Sequence, residues 1–134
     1  MKVILGMGCD RGTSQQTLET TVDLALQEAG LSRDAIHALA TIDKKNDEAA
    51  LLAFSAEHDW PLNFYSAQQL SEVEVPNPSE VVRKYMGTPA VAEAAAMLAA
   101  NTGIKNLLLE KIKYRGADNK NATVSIVRID NEQR

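Results

Sequence analysis

An apolar triplet, Val3-Ile4-Leu5, runs directly into Gly6-Met7-Gly8-Cys9-Asp10-Arg11-Gly12-Thr13, and a helical pattern follows at once. That pattern sets Leu18, Val22, Ala25, Leu26 and Ala29 on one face. Thr13 with Gln16 three residues later reads as a capping box. The spacing therefore predicts a buried strand over 2–5, a glycine-rich loop, and a helix over 14–29 stopped by Gly30. A strand–loop–helix unit of this kind commits the chain to an α/β architecture. Three glycines allow backbone N–H groups to gather around a ligand, and Arg11 adds a fixed cation. The helix N-terminus favours negative charge, so the loop reads as an anion site. The plainer reading is a tight turn that needs small residues.

The remaining pattern repeats the unit. Ser32-Arg33-Asp34 opens one short turn, and 36–42 reads as a second buried strand ending at Asp43. Asn46 is placed to cap a second helix, with Asp47 and Glu48 in its first turn and Ala49, Leu52, Ala53 and Ala56 inward. Trp60-Pro61 ends that helix before a short third strand over 62–65. Ser66 and Gln69 form another capping box, opening a single turn. Asn77-Pro78-Ser79-Glu80 starts a short helix ending at Gly87, and Thr88-Pro89 starts a second whose body is alanine-rich over 91–98. Strands over 106–114 and 122–129 flank a polar loop and read as an antiparallel hairpin. The expectation is one domain over 1–134, a three-layer α/β/α fold. Its mixed sheet has about five strands, the first three parallel and the last two an antiparallel hairpin.

Composition excludes several functions. Aromatic residues make up 4% of the 134 residues, too few for nucleic-acid stacking platforms, and a net charge of −4 argues against a polyanion spread over the surface. No apolar run has the length of a membrane span. A single cysteine makes no internal disulfide, and the chain opens on a strand without a signal-peptide pattern, so a cytoplasmic protein is expected. No Cys/His spacing resembles a metal site, and no cofactor is expected.

Ligands of open α/β sheets sit beyond the carboxyl ends of the parallel strands. Thr41, Asp43 and Lys44 are therefore candidates to share a crevice with Cys9 and Arg11, although Asp43 and Lys44 also read as solvated turn residues. Cys9 lies near a helix N-terminus and Arg11, both of which lower a thiol pKa. No histidine is placed to pair with it: His37 falls inside a strand and His58 near a helix end. Glu93 is the only acid in the alanine-rich helix body, placed either at the surface or against a pocket loop. Asn77, Ser79 and Thr88 face a ligand or simply cap helices. Lys111, Lys113 and Lys120 make the last hairpin basic, either to meet substrate carboxylates or to balance a sheet edge.

Five ordered blocks carry a resemblance. They are Gly6-Met7-Gly8-Cys9-Asp10-Arg11-Gly12, Ala40-Thr41-Ile42-Asp43-Lys44, the stretch from Glu74 to Val82, that from Gly87 to Ala96, and Asn121-Ala122-Thr123-Val124. Together they resemble the CobE/CbiG C-terminal domain family of cobalamin (vitamin B12) biosynthesis over nearly the whole chain. The family has a Pro-Lys pair late in the fourth strand, where this chain has Glu110-Lys111. The resemblance implies binding of a corrin-ring precursor, with other cobalamin-biosynthesis enzymes as further partners. Such rings are apolar and fringed with carboxylates. On this reading Gly6, Gly8, Cys9, Arg11, Gly12, Thr13, Thr41, Asp43, Lys44, Asn77, Ser79, Thr88 and Lys111 form the binding set. The alternative it implies is a hydrolase opening the lactone of a precorrin-5A-type intermediate, with Asp43, Glu93 or Cys9 as the polar group near water. A nucleotide-binding domain is the weaker alternative: the fit to G-x-G-x-x-G breaks after Gly8, and no acid is placed for a ribose.

Overall fold

The computed structural model of the chain describes residues 2–73 and 91–129. The elements alternate as the pattern requires: β1 (Val3–Cys9), α1 (Gln15–Ala29), β2 (Ile36–Ile42), α2 (Ala49–His58), β3 (Leu62–Tyr65) and a short α3 (Ala67–Ser71). The alanine-rich helix α4 (Val91–Ala100) precedes β4 (Leu107–Arg115) and β5 (Asn121–Arg128). The sheet order is β3-β2-β1-β5-β4. β1, β2 and β3 are mutually parallel, β5 runs antiparallel to β1, and β4 pairs antiparallel with β5. The mixed five-stranded α/β arrangement is the expected one.

Side-chain alternation along the strands divides the core in two. Val3, Leu5 and Met7 of β1 join Leu39, Val124 and Ile126 under α1 and α2, which contribute Leu18, Val22, Leu26, Leu51 and Phe54. On the opposite face Ile4 joins Ala38, Ala40, Ile42 and Val127 under Leu70 of α3 and the Ala94–Met97 run of α4. Full burial of each large side chain stabilises by roughly 1.5–3 kcal/mol, so these two layers hold the helices on the two faces of the sheet.

Four local expectations are corrected. β1 does not stop at Leu5 but continues to Cys9, so Gly6 and Gly8 are strand residues and not a loop. The residue capping α1 is Ser14, whose hydroxyl accepts the Thr17 N–H, and Thr13 instead donates its hydroxyl to the Asp10 carbonyl oxygen at 2.6 Å. α2 begins at Ala49 after Glu48, with no side-chain cap from Asn46, because Asp43–Lys45 first form a 3₁₀ turn. Its inward face is Leu51 and Phe54, while Leu52 stays 41% exposed. A helix apolar on two faces gives periodicity nothing to choose between, and the face that carries Phe54 takes the core. The capping box of Ser66 and Gln69 and the left-handed Gly30 are found where expected.

Candidate functional site

Beyond the carboxyl ends of β1 and β2 lies a cavity of about 590 Å³, bounded on one side by the first turn of α4. Gly8 and Cys9 of β1, Thr41 and Ile42 of β2 and Thr123 of β5 form its floor and near wall. Val91, Ala92 and Glu93 close one end, and Lys45, Lys111 and Lys113 stand around it. The glycines of β1 shape this space by what they lack. A Cβ on Gly6 would meet the Ala92 carbonyl oxygen at 1.8 Å, so α4 rests directly on the strand. A Cβ on Gly8 would lie 2.7 Å from Thr123 Oγ1, so the floor stays flat there.

Lys111 reaches the cavity by an irregularity in β4. Leu109 pairs with Ile126 and Ile112 with Val124, three positions on one strand against two on its neighbour. The extra residue is a β-bulge, which re-aims side chains. Leu109 and Ile112 both pack on the α1–α2 core, and Lys111 and Lys113 line the cavity. The bulge falls at Glu110-Lys111.

Glu93 is the group whose placement carries most chemistry. It is 1% exposed, it lines the cavity, and its Oε2 has no hydrogen-bond partner among the described residues. Burial pushes its carboxyl above the ordinary range, with Glu110 adding to the shift and Lys111 opposing it. The sequence offered a surface position or a bond to a pocket loop; the side chain is buried, and no bond from its Oε2 to a loop is found among the described residues.

The anion site expected at the start of α1 is filled by the protein's own carboxylates. Asp118, from the β4–β5 turn, accepts the Ser14 N–H at 2.8 Å, the Thr17 hydroxyl at 3.0 Å and the Lys120 N–H at 3.1 Å. The Ser14 N–H foremost holds the Asp118 carboxyl down at about 2. Gly12 N–H donates to Glu48 Oε2 at 2.9 Å. Arg11, expected as a fixed cation for the ligand, lines the cavity but is bonded to Asp47 at 2.7 Å, to Glu48 at 3.2 Å and to the Lys44 carbonyl oxygen. No sequence spacing signals these pairings, since Asp118 is 104 residues from Ser14.

Of the expected binding set, the structure brings Gly8, Cys9, Arg11, Thr41 and Lys111 around the cavity, together with Glu93. Gly6 lies beneath α4, and Gly12, Thr13, Asp43 and Lys44 are not among the lining residues, Lys45 taking the place expected for Lys44. Asn77, Ser79 and Thr88, with the helix starts they mark, lie outside the described residues. The thiol of Cys9 is not activated: burial pushes it up, and Lys45, pulling down, does not offset this. Lys120 of the basic hairpin stands beside the first loop, its Cε being 4.0 Å from where a Gly12 Cβ would lie. His58 serves structure, stacked on Trp60 at a centroid distance of 4.5 Å and bonded to Glu19 at 2.8 Å. No helix among the described residues is long and apolar enough to cross a membrane.

The family model described as "Cobalamin synthesis G C-terminus" matches residues 3–127, and the chain belongs to that family. It is similar to a cobalt-precorrin-5A hydrolase of Priestia megaterium, 37% identical over 125 residues, covering 93% of this chain and 32% of that protein. It is also similar to Protein CobE of a Sinorhizobium species, 36% identical over 101 residues, covering 73% of this chain and 65% of that one. The crystal structure of CobE, a protein from the cobalamin biosynthetic pathway, superposes with a TM-score of 0.76 at 30% identity, covering 96% of this chain and 92% of that one. The chain thus spans about a third of the hydrolase and just under two thirds of the curated CobE protein.

Proposed function

We propose that the chain binds a corrin-ring precursor in the Glu93 cavity, with Lys45, Lys111 and Lys113 holding the ring's carboxylates. The observation that supports it is the clustering of three lysines around one cavity, none of them in an ion pair among the described residues, on a chain of net charge −4. Charges with no ion-pair partner among the described residues, set beside a partly apolar floor, suit a flat ring with an anionic fringe. Gly8 and Ile42 meet the ring face, and Thr41, Thr123 and Cys9 line the wall beside it. A recess of about 230 Å³ shares Gly8, Cys9, Asp10, Lys113 and Thr123 with the cavity and gives the ring's edge further room.

The test is an absorbance titration with cobyrinic acid, a corrin whose peripheral side chains end in carboxylates. The Lys111→Ala/Lys113→Ala double variant is expected to bind at least about tenfold more weakly than the wild type. Added salt narrows that difference only in part, because partly buried charges are screened less. Equal affinities for the two proteins would overturn the reading.

The buried carboxyl of Glu93 favours one second reading, hydrolysis of a lactone in such a ring, the chemistry in the name of the Priestia relative. Opening a lactone at neutral pH releases a proton, so a pH indicator follows it directly. Turnover by the wild type that Glu93→Gln lacks would establish this reading, and no proton release above the uncatalysed rate would dismiss it.

A further inference from the structure

We propose that Glu93 is the specificity-determining residue of the cavity, selecting a ring whose innermost edge presents an uncharged hydrogen-bond donor and not a carboxylate. This deepens the corrin reading and rests on it. Three observations converge. Glu93 is 1% exposed, and its Oε2 lacks a partner among the described residues although it lines the cavity. A buried polar oxygen without a partner is costly, and a donor on the ligand relieves that cost. The residue is also held close over the strand: α4 rests on β1 through the Gly6–Ala92 contact, where a Cβ would meet backbone at 1.8 Å.

The third observation is the polarity of the cavity. Its cations, Lys45, Lys111, Lys113 and the already paired Arg11, are all exposed or half-buried, and Glu93 is the one buried charged residue among the described residues that line it. Peripheral carboxylates of a ring therefore find ammonium groups at the rim. A carboxylate pushed inward meets another carboxyl in a place where water screens little. Burial already disfavours charge on the Glu93 carboxyl itself, and a second carboxylate beside it adds to that cost. A carboxamide in that position donates an N–H to Oε2 and adds no charge. The site thus reads one functional group of the ligand apart from the overall anionic character that draws it in, which is discrimination by an otherwise unmet hydrogen bond.

The test compares cobyrinic acid with its individually purified monoamides, titrated by absorbance into wild-type protein and into Glu93→Gln at one pH. At least one monoamide is expected to bind the wild type tenfold or more tighter than the parent acid. In Glu93→Gln, whose own amide supplies a donor to an incoming carboxylate, that advantage is expected to fall below threefold. Wild-type protein that binds every monoamide no better than the acid overturns the assignment of Glu93 and leaves the corrin reading standing. So does a Glu93→Gln variant that keeps the full advantage. Wild-type protein that binds neither the acid nor any monoamide overturns the corrin reading and this assignment with it. The wild-type ratio decides the matter alone if the variant fails to fold.

Discussion

The backbone of Gly6 passes so close under Ala92 that a Cβ on the glycine would stand 1.8 Å from the Ala92 carbonyl oxygen and 3.0 Å from the Ala96 Cβ. The obstacle is backbone of a packed helix, so no side-chain rotation removes it. Gly6→Ala must displace the first turn of α4 and with it Glu93. Overpacking of this kind costs about 1–3 kcal/mol, expected as a lower urea midpoint together with weaker cobyrinic acid binding. Gly30→Ala is the contrasting case. Nothing lies within 4 Å of its Cβ, but its φ of +72° is left-handed, so it is expected to cost about 1 kcal/mol and leave binding unchanged. A Gly6→Ala protein as stable as the wild type would show that α4 is not fixed by this contact.

Asp118 ties stability to acid pH. Its folded value of about 2 lies below the ordinary 3.8, so the stability it contributes is complete above 3.8 and is lost as pH falls toward 2. Asp118→Ala is expected to melt a few degrees below the wild type at pH 6, with the gap closing by pH 2. A gap that stays constant across this range would mean that the carboxylate charge is not what caps α1.

Glu93 works in the opposite sense. Burial raises its carboxyl above the ordinary 4.5, so its cost to the fold is absent below 4.5 and appears as pH rises through the folded value. Glu93→Gln is therefore expected to have a higher urea midpoint than the wild type at pH 8 and an equal one at pH 4. A gain in stability on removing a binding group is the usual sign of a site held at the expense of the fold.

Cys9 provides a reporter for the cavity. Burial pushes its thiol above the ordinary 9.0, so alkylation by iodoacetamide at pH 7.5 is expected to run at least about tenfold slower in the folded protein than in urea. Bound cobyrinic acid should slow it further, as read by mass spectrometry. Labelling that is indifferent to the corrin would place the ring away from the end of β1.

Where one periodicity dominated, the sequence was read to the residue: β2 over Ile36–Ile42 and β3 over Leu62–Tyr65 have the expected bounds. The order of parallel and antiparallel strands followed from the same alternation. The error at β1 has a physical source. Glycine within a strand looks like glycine in a loop until the helix that crosses it is known, and Gly6 answers to Ala92, 86 positions away. The site divides along the same line. Cys9 and Thr41 were legible because they sit at strand ends, and Glu93 because it is the one acid in an alanine-rich helix, whereas Lys111 lies mid-strand and reaches the cavity through a bulge that no periodicity announces. That Arg11 is engaged by Asp47 and Glu48, and that Asp118 occupies the helix N-terminus expected to take a ligand's anion, depends on side chains meeting across the fold.

The central position of β1 has a consequence for how the protein is made. Val3 pairs with Ile36 on one side and with Arg128 on the other, so during synthesis β1 waits for β5, more than a hundred residues later, to complete its ladder. Until then its second edge, flanked by the apolar Val3, Ile4 and Leu5, is an open template for any other strand. Long-range closure of this kind slows folding. A ribosome-bound chain halted before residue 121 would thus expose one unpaired edge in the middle of its future sheet. Release of the final hairpin, more than the assembly of the three parallel strands, becomes the step at which folding outcompetes aggregation.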